Sequence, residues 1–457
     1  MSPGTVVVND PGITPRAKFY EPFSFATYYR GGQTTVTLQP HRTYYLVAYD
    51  PAGRTGAYAF GIGVAEKFSL GDMFRSIVDV LRIKTGWYGD TILQSKTAIV
   101  SPSAREDADV DYIFVQIFPD QPAAVTYKMN CGNISAGVPV FALMKNMLPG
   151  IKDGRQTIRA FSTNTQKLMY MTLDVLNGEA RVDGDTVIGG VPGSGAQILV
   201  DFRDQGGGFT GGTFPTGNLI DTVTLSDGST VDVTVMDMAN ICGFFRAEDF
   251  GIGCTGLELP APDGTIIQPP GMLARLTELR LKIAELIGWD QYTIDTIGKA
   301  TLPFAVSVAP PADYTDLDGD QVHAADMDLV ARFYLESIMH SAAPGSGSTC
   351  LAAAAAVPGT VANDVLRDGD LKTGKGGDLV LGHPSGTFSL HVDPELSAGP
   401  LKVAYKALSF PRTARIICDG SVYIRNAQPP EHSSWVEADA LTAASFFRFE
   451  DQMTVQR

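Results

Sequence analysis

Two residues in this sequence combine a reactive side chain with a setting that would activate it. Cys131 lies in Asn130-Cys131-Gly132-Asn133-Ile134-Ser135-Ala136-Gly137, where the β-like run Val125 to Met129 meets small and polar residues and then an apolar helical pattern, Val138 to Met147. A cysteine at a helix start is a candidate acid or base, because the positive end of the helix stabilises the thiolate. Lys96 stands in Leu93-Gln94-Ser95-Lys96-Thr97-Ala98-Ile99-Val100, at the mouth of an apolar strand. Desolvation there would lower its pKa and make it a usable base; a solvated lysine is the bland alternative.

A second segment repeats the design around Cys131. Met327 to Tyr334 is followed by Pro344-Gly345-Ser346-Gly347-Ser348-Thr349-Cys350 and then the apolar run Leu351 to Val357. The first N–H groups of a helix lack internal partners, and small residues let a ligand approach them, so a carboxylate can dock there without Lys or Arg. Two such starts suggest a pseudo-twofold pair of lobes gripping a di- or tricarboxylate. The competing reading is that the small residues only permit close packing.

The elements that must position these groups are mostly strands. Short β-like runs cover Tyr44 to Tyr49, Thr97 to Val100, Tyr112 to Ile117, Leu168 to Leu176, Ile198 to Phe202 and Val231 to Met236. They continue through Phe304 to Val308, Met327 to Tyr334, Phe388 to Val392 and Val403 to Leu408, separated by turn residues. Helical period appears only in Asp72 to Ile83, Ile134 to Met147, Met272 to Ile287, Ser346 to Val357 and Trp435 to Phe447. The pattern is α+β. Met272 to Ile287 carries Leu276, Leu279, Ile283, Leu286 and Ile287 on one stripe, with Glu278 four residues before Lys282 on the other, and Gly288 closes it. It reads as scaffold. The last helix opens on a capping box, Ser434-Trp435-Val436-Glu437, and places Phe446 and Phe447 against its own domain or in a homodimer contact.

Composition narrows the function. The 457 residues, 44% hydrophobic and 19% charged, suit a globular protein with core for two domains or one large one. A net charge of −15 repels phosphate backbones and anionic headgroups, which argues against nucleic acid and membrane surfaces as partners. An anionic substrate then needs a local site of backbone N–H groups and a few cations. The opening segment has only Val6-Val7-Val8 as an apolar patch, so a cytoplasmic location is expected. Five cysteines spread singly, without CxxC pairs or nearby His, argue against a disulfide framework and against a structural metal.

Several ordered motifs together resemble the PrpF-like family, whose members include 2-methylaconitate cis-trans isomerase, 4-oxalomesaconate tautomerase and methylitaconate delta-isomerase. They are Ser95 to Ser103, Asp109-Val110-Asp111-Tyr112-Ile113-Phe114 and Asn130 to Ala136, then Thr210-Gly211 with Pro215-Thr216-Gly217-Asn218. Gly256-Leu257-Glu258-Leu259-Pro260 and Cys350 to Val361 complete a resemblance over roughly 92 to 425. It implies two pseudo-symmetric diaminopimelate-epimerase-like lobes, each a β barrel-like sheet around a central helix, with the active site in the cleft. The expected division is 1–195, completed by about 412–457 returning at the C-terminus, and 196–411.

The resemblance also implies a cofactor-free 1,3-allylic or cis-trans isomerisation of a small unsaturated polycarboxylate, with Lys96 as general base and Cys131 as partner acid. Charge developing on the conjugated carboxylate would meet the N–H groups of Gly132, Asn133 and Ile134, beside Ser135, and those around Gly347 and Ser348. Thr216 and Gly217 resemble the family's substrate-contacting loop, and Ser95 and Arg30 resemble further substrate contacts. His340 lies where the resemblance puts a histidine before the second helix start; on its own it reads as structural.

The departures are N-terminal. The family's Arg-Gly-Gly-Thr-Ser-Lys-Gly is here Arg30-Gly31-Gly32-Gln33-Thr34-Thr35-Val36, and its Asp-Gly-Met-Gly-Gly is Thr85-Gly86-Trp87-Tyr88-Gly89, which suggests a larger, more apolar or less charged substrate. Other motifs carry nothing. Gly251 to Gly256 fits GxGxxG but runs into Leu257-Glu258-Leu259-Pro260 instead of a helix, and Asp316 to Asp320 lacks the carboxylates of a calcium loop at its ends. One alternative is a carboxylate-binding or accessory protein of the same fold without turnover. Another is racemisation, which in this fold uses a second opposed cysteine, and for which Cys350, about one turn inside its helix, is the candidate.

Overall fold

The computed structural model describes residues 96–117, 129–254 and 271–416, apart from 190, 192, 298–299, 318, 336–337 and 397–398, together with the backbone of the short strands Thr5–Val8, Thr34–Thr37, Phe60–Gly61 and Val125–Thr126. The expected strand Tyr44 to Tyr49, the helices Asp72 to Ile83 and Trp435 to Phe447, and Arg30, Trp87, Tyr88, Ser95 and Cys418 lie outside the described residues.

A 17-stranded mixed sheet runs through the described residues. It opens with β1 (Lys96–Pro102), β2 (Val110–Ile117), β3 (Gly154–Ser162) and β4 (Lys167–Leu176), in which β2 and β3 run parallel and the other neighbours antiparallel. Strand β4 shows why these segments are strands. Met169, Met171, Leu173 and Val175 are buried while Tyr170, Thr172 and Asp174 between them are only partly covered, an alternation that puts one face on the core.

The sheet passes from β4 to β5 (Ile198–Asp201), which also pairs with a strand from the far end of the described chain. The later strands are β6 (Asp221–Thr224), β7 (Thr230–Met238), β8 (Asn240–Arg246), β9 (Phe304–Ala309), β10 (Leu329–Leu335), β11 (Gly377–His383), β12 (Gly386–Glu395) and β13 (Ala404–Arg412). Strand β13 lies between β12 and β5, with Arg412 opposite Ile198. Strand β10 is buried at every residue, covered on both faces, and so reads as a continuous apolar run broken only by Arg332.

The helix expected over Ile134 to Met147 is two pieces, α1 (Gly132–Ser135) and α2 (Gly137–Met144). Pro139 has no N–H to give the Ser135 carbonyl four residues back, and the ladder breaks at that turn. Helix α3 (Met272–Leu286) buries Leu276, Leu279 and Ile283 as its stripe predicts, and Gly288 after it takes a left-handed φ of 76°. The expected Glu278–Lys282 pair does not form. Glu278 instead accepts from Ser226 N at 2.6 Å and Ser226 Oγ at 2.9 Å, and Lys282 reaches Glu285 at 2.9 Å. Two hydrogen bonds to a loop outcompete a solvated ion pair worth a few tenths of a kcal/mol.

Helix α4 (Gly345–Ala355) is buried at all its residues, packed by β7, β8, β12 and β13. Its alanine run lets strands close in from every side, and the core around it continues through α1 and α2. Phe202, Phe388 and Phe410 join the two ends of this core by edge-on ring contacts at 5.6 and 5.9 Å.

Candidate active site

Strand β1 begins at Lys96, which is half-buried and stands opposite Gln116 of β2. Cys131 is the residue before α1, with extended backbone angles (φ −136°, ψ 108°), and is 6% exposed. Both of its main-chain groups are held. Its N–H donates to Asn130 Oδ1 at 2.8 Å, and its carbonyl accepts from Ser135 N at 3.2 Å and Ser135 Oγ at 2.7 Å. A residue pinned on both sides keeps its side chain in one place.

The pinning reaches across the chain. Asn240, fully buried at the start of β8, accepts from Asn130 N at 3.0 Å and donates through Nδ2 to Asn130 O at 3.1 Å and to Ser346 Oγ at 2.7 Å. Ser346 Oγ in turn donates to Asn130 O at 3.3 Å. Thus β8 and the first turn of α4 hold the segment that carries Cys131. The two helix starts also abut directly. A Cβ built on Gly132 would lie 2.9 Å from Gly345 C and from Ser346 N, and one built on Gly345 would lie 3.1 Å from Gly132 Cα. Glycine at both positions is what this approach requires.

The meeting of these elements leaves a recess between the start of β1, the start of α1 and the start of α4. Lys96, Cys131, Asn133 and His340 line it, together with Asn130 and Gln116. Phe304 and Leu335 supply an apolar wall, and none of the described lining residues is acidic. Burial, and then the nearby Lys96 charge, push the His340 pKa down to about 3, so the ring is neutral at ordinary pH. Its Nδ1 sits 2.7 Å from Ala342 O. Lys96 is the one lysine or arginine among the described lining residues.

Behind the lining stands Arg412, at the end of β13 and 7% exposed. Its Nε donates to Asn133 Oδ1 at 2.8 Å, and its guanidinium lies 4.2 Å from the Phe388 ring centre and 4.7 Å from that of Phe410. Burial pulls its pKa down to about 9, opposed by the neighbouring Cys131.

The remaining sequence candidates fall elsewhere. Ile134 is core, Ser135 serves the Cys131 carbonyl, and Gly347 packs on Phe333 and Pro344. Ser348 is buried inside α4, its N–H on Pro344 O at 2.7 Å. Thr216 and Gly217 form a turn, with Gly217 N donating to Phe214 O at 3.1 Å, and neither lines the recess. Cys350 Sγ lies 3.4 Å from Met236 O and beside Cys242, buried in the core and not across the recess from Cys131. Sequence reasoning missed Gln116, Asn240 and Arg412. Gln116 had a readable signal, a polar residue in the otherwise apolar run Tyr112 to Ile117.

The family model described as PrpF protein matches residues 78–425. The chain is 38% identical over 345 residues to 3-methylitaconate isomerase of Eubacterium barkeri, covering 75% of this chain and 86% of that protein. It is 30% identical over 347 residues to 2-methyl-aconitate isomerase of Shewanella oneidensis, covering 74% and 84%. The crystal structure of methylitaconate-delta-isomerase matches with a TM-score of 0.66 at 32% identity, covering 83% of this chain and 97% of that one. The chain belongs to the PrpF family and is an isomerase.

Proposed function

We propose that the chain moves a double bond by a 1,3-allylic proton shift, or exchanges cis and trans forms, in a small unsaturated di- or tricarboxylate, without a cofactor. Lys96, as general base, takes a proton from the carbon next to a C=C bond conjugated to a carboxylate. The electron pair left behind spreads into a dienolate. Cys131 gives its thiol proton to the far carbon, the double bond moves, and exchange with solvent restores both groups. Rotation in the dienolate before reprotonation gives cis-trans exchange. The observation that supports this reading is that Lys96 and Cys131 share one recess with no acidic residue among its described lining, beside a histidine kept neutral. The names of the relatives, methylitaconate and methyl-aconitate isomerases, support the substrate class.

The same proposal includes the finer architecture: two pseudo-symmetric lobes, 1–195 completed by about 412–457, and 196–411, with α1–α2 and α4 as their central helices. The abutting helix starts and the burial of α2 and α4 against strands support it. The test of function is incubation of the protein with methylitaconate, 2-methylaconitate and oxalomesaconate, followed by proton NMR. Double-bond migration or cis-trans exchange in at least one acid is expected, and no turnover of any would overturn the reading.

A further inference from the structure

Asn133 lines the recess with an amide whose two ends differ chemically: one accepts hydrogen bonds and the other donates them. A carboxylate or dienolate oxygen can use only the donor end. Nothing in a free asparagine decides which end faces a ligand, because the amide can turn over at little cost. Arg412 decides it. A guanidinium has donors only, so a hydrogen bond from Arg412 Nε at 2.8 Å can be made only to Asn133 Oδ1, and the opposite end of the amide, the Nδ2 donor, is left for the recess.

Arg412 is itself well fixed for this purpose. It is stacked against Phe388 and Phe410, its Nη1 donates to Pro411 O at 2.9 Å, and no carboxylate among the described residues pairs with it. Gly345 allows the arrangement, since a Cβ there would lie 3.2 Å from Asn133 Oδ1 and push the amide away from Arg412.

We propose that Arg412 is a positioning residue for substrate binding: it turns the Asn133 amide so that Nδ2 faces the recess as a donor to a substrate carboxylate. The proposal rests on the reading of the recess as a polycarboxylate site, and it is independent of which group moves the proton.

The test is a double-mutant cycle on Arg412→Gln and Asn133→Ala, read as the dissociation constant of a saturated, unreactive tricarboxylate, tricarballylate, by calorimetry. Because that acid cannot isomerise, a parent that binds it but turns nothing over sinks the functional reading while leaving this one in place. Each single variant is expected to weaken binding about 10- to 100-fold, the range for one hydrogen bond to a charged group. The double variant is expected to bind no worse than the weaker single one, because Arg412 acts through Asn133. Multiplying losses would overturn the proposal, as would Arg412→Gln binding like the parent, or a parent that binds no tricarballylate.

If Arg412→Gln does not fold, Asn133→Asp answers the same question. An aspartate keeps an acceptor for Arg412, so the melting temperature is expected to hold or rise. The donor is gone and a negative charge stands in its place, so tricarballylate binding is expected to fall at least 100-fold, the combined loss of a charged hydrogen bond and a gained repulsion. Asn133→Asp that folds and binds like the parent would overturn the proposal.

Discussion

The start of α1 and the start of α4 look alike in sequence, each a glycine-bearing turn after a strand with a cysteine near the helix entrance, yet they do different work. At the first, Cys131 precedes the helix and lines the recess, and Asn133 beside it keeps its amide in the site. At the second, the cysteine comes later: Cys350 is the sixth residue of α4 and turns into the core toward Met236 and Cys242. What α4 offers the recess is its first turn, Pro344 to Ser346, and Ser346 is spent on holding Asn130. A shift of the cysteine from the residue before a helix to one turn inside it thus separates a thiol that lines the recess from one that packs in the core.

The sharpest way to break this comparison is to remove the two groups proposed to move the proton. Cys131→Ser and Lys96→Ala are each expected to lower kcat by about 10³-fold, the usual size of a lost general acid or base, with melting temperature nearly unchanged. Either variant turning over at the parent rate would mean that the first start is not the reactive one. The contact between the starts is tested next by Gly132→Ala, whose Cβ would lie 2.8 Å from Phe410 Cζ and 2.9 Å from Gly345 C. Forcing them apart is expected to destabilise the protein by about 1–3 kcal/mol in denaturant unfolding. An unchanged unfolding midpoint would show that the close approach is not obligatory.

The second half of the chain brings a titrating group to the recess, and it sharpens the comparison through pH. The His340 pKa of about 3 lies well below the ordinary value, so the folded state binds fewer protons than the unfolded one. Its stability is therefore present above pH about 6.5 and is lost as pH falls toward 3, at most about 2 kcal/mol by pH 5. His340→Gln is expected to lose less melting temperature than the parent between pH 7.5 and 5. Equal acid sensitivity would contradict the buried, neutral ring. The smallest expected effect belongs to Cys350→Ala, with kcat within about threefold of the parent and a stability loss near 1 kcal/mol. A large fall in kcat would return Cys350 to the chemistry and favour racemase-like behaviour.

Much of this was legible before any coordinates. Strands such as β4 announce themselves by alternation, and Cys131, Asn133, Lys96 and His340 stand in local motifs that carry their own signal. What could not be read is long-range. Asn240 holds Asn130 from 110 residues away, and Arg412 holds Asn133 from 279 residues away; no periodicity or local spacing encodes such a contact. The break between α1 and α2 was readable from Pro139, whereas the choice of Glu278 for Ser226 over Lys282 depends on a loop that only the folded chain brings near.

The claim that matters most is that two different groups move the proton, and the first turnover in D₂O tests it directly. Lys96 removing a proton and Cys131 returning another predicts product carrying one solvent deuterium at the far carbon, and loss of that product in Cys131→Ser. Product that keeps the substrate's own hydrogen at that carbon, formed equally well by Cys131→Ser, would mean that one base shuttles the proton alone and would contradict the account.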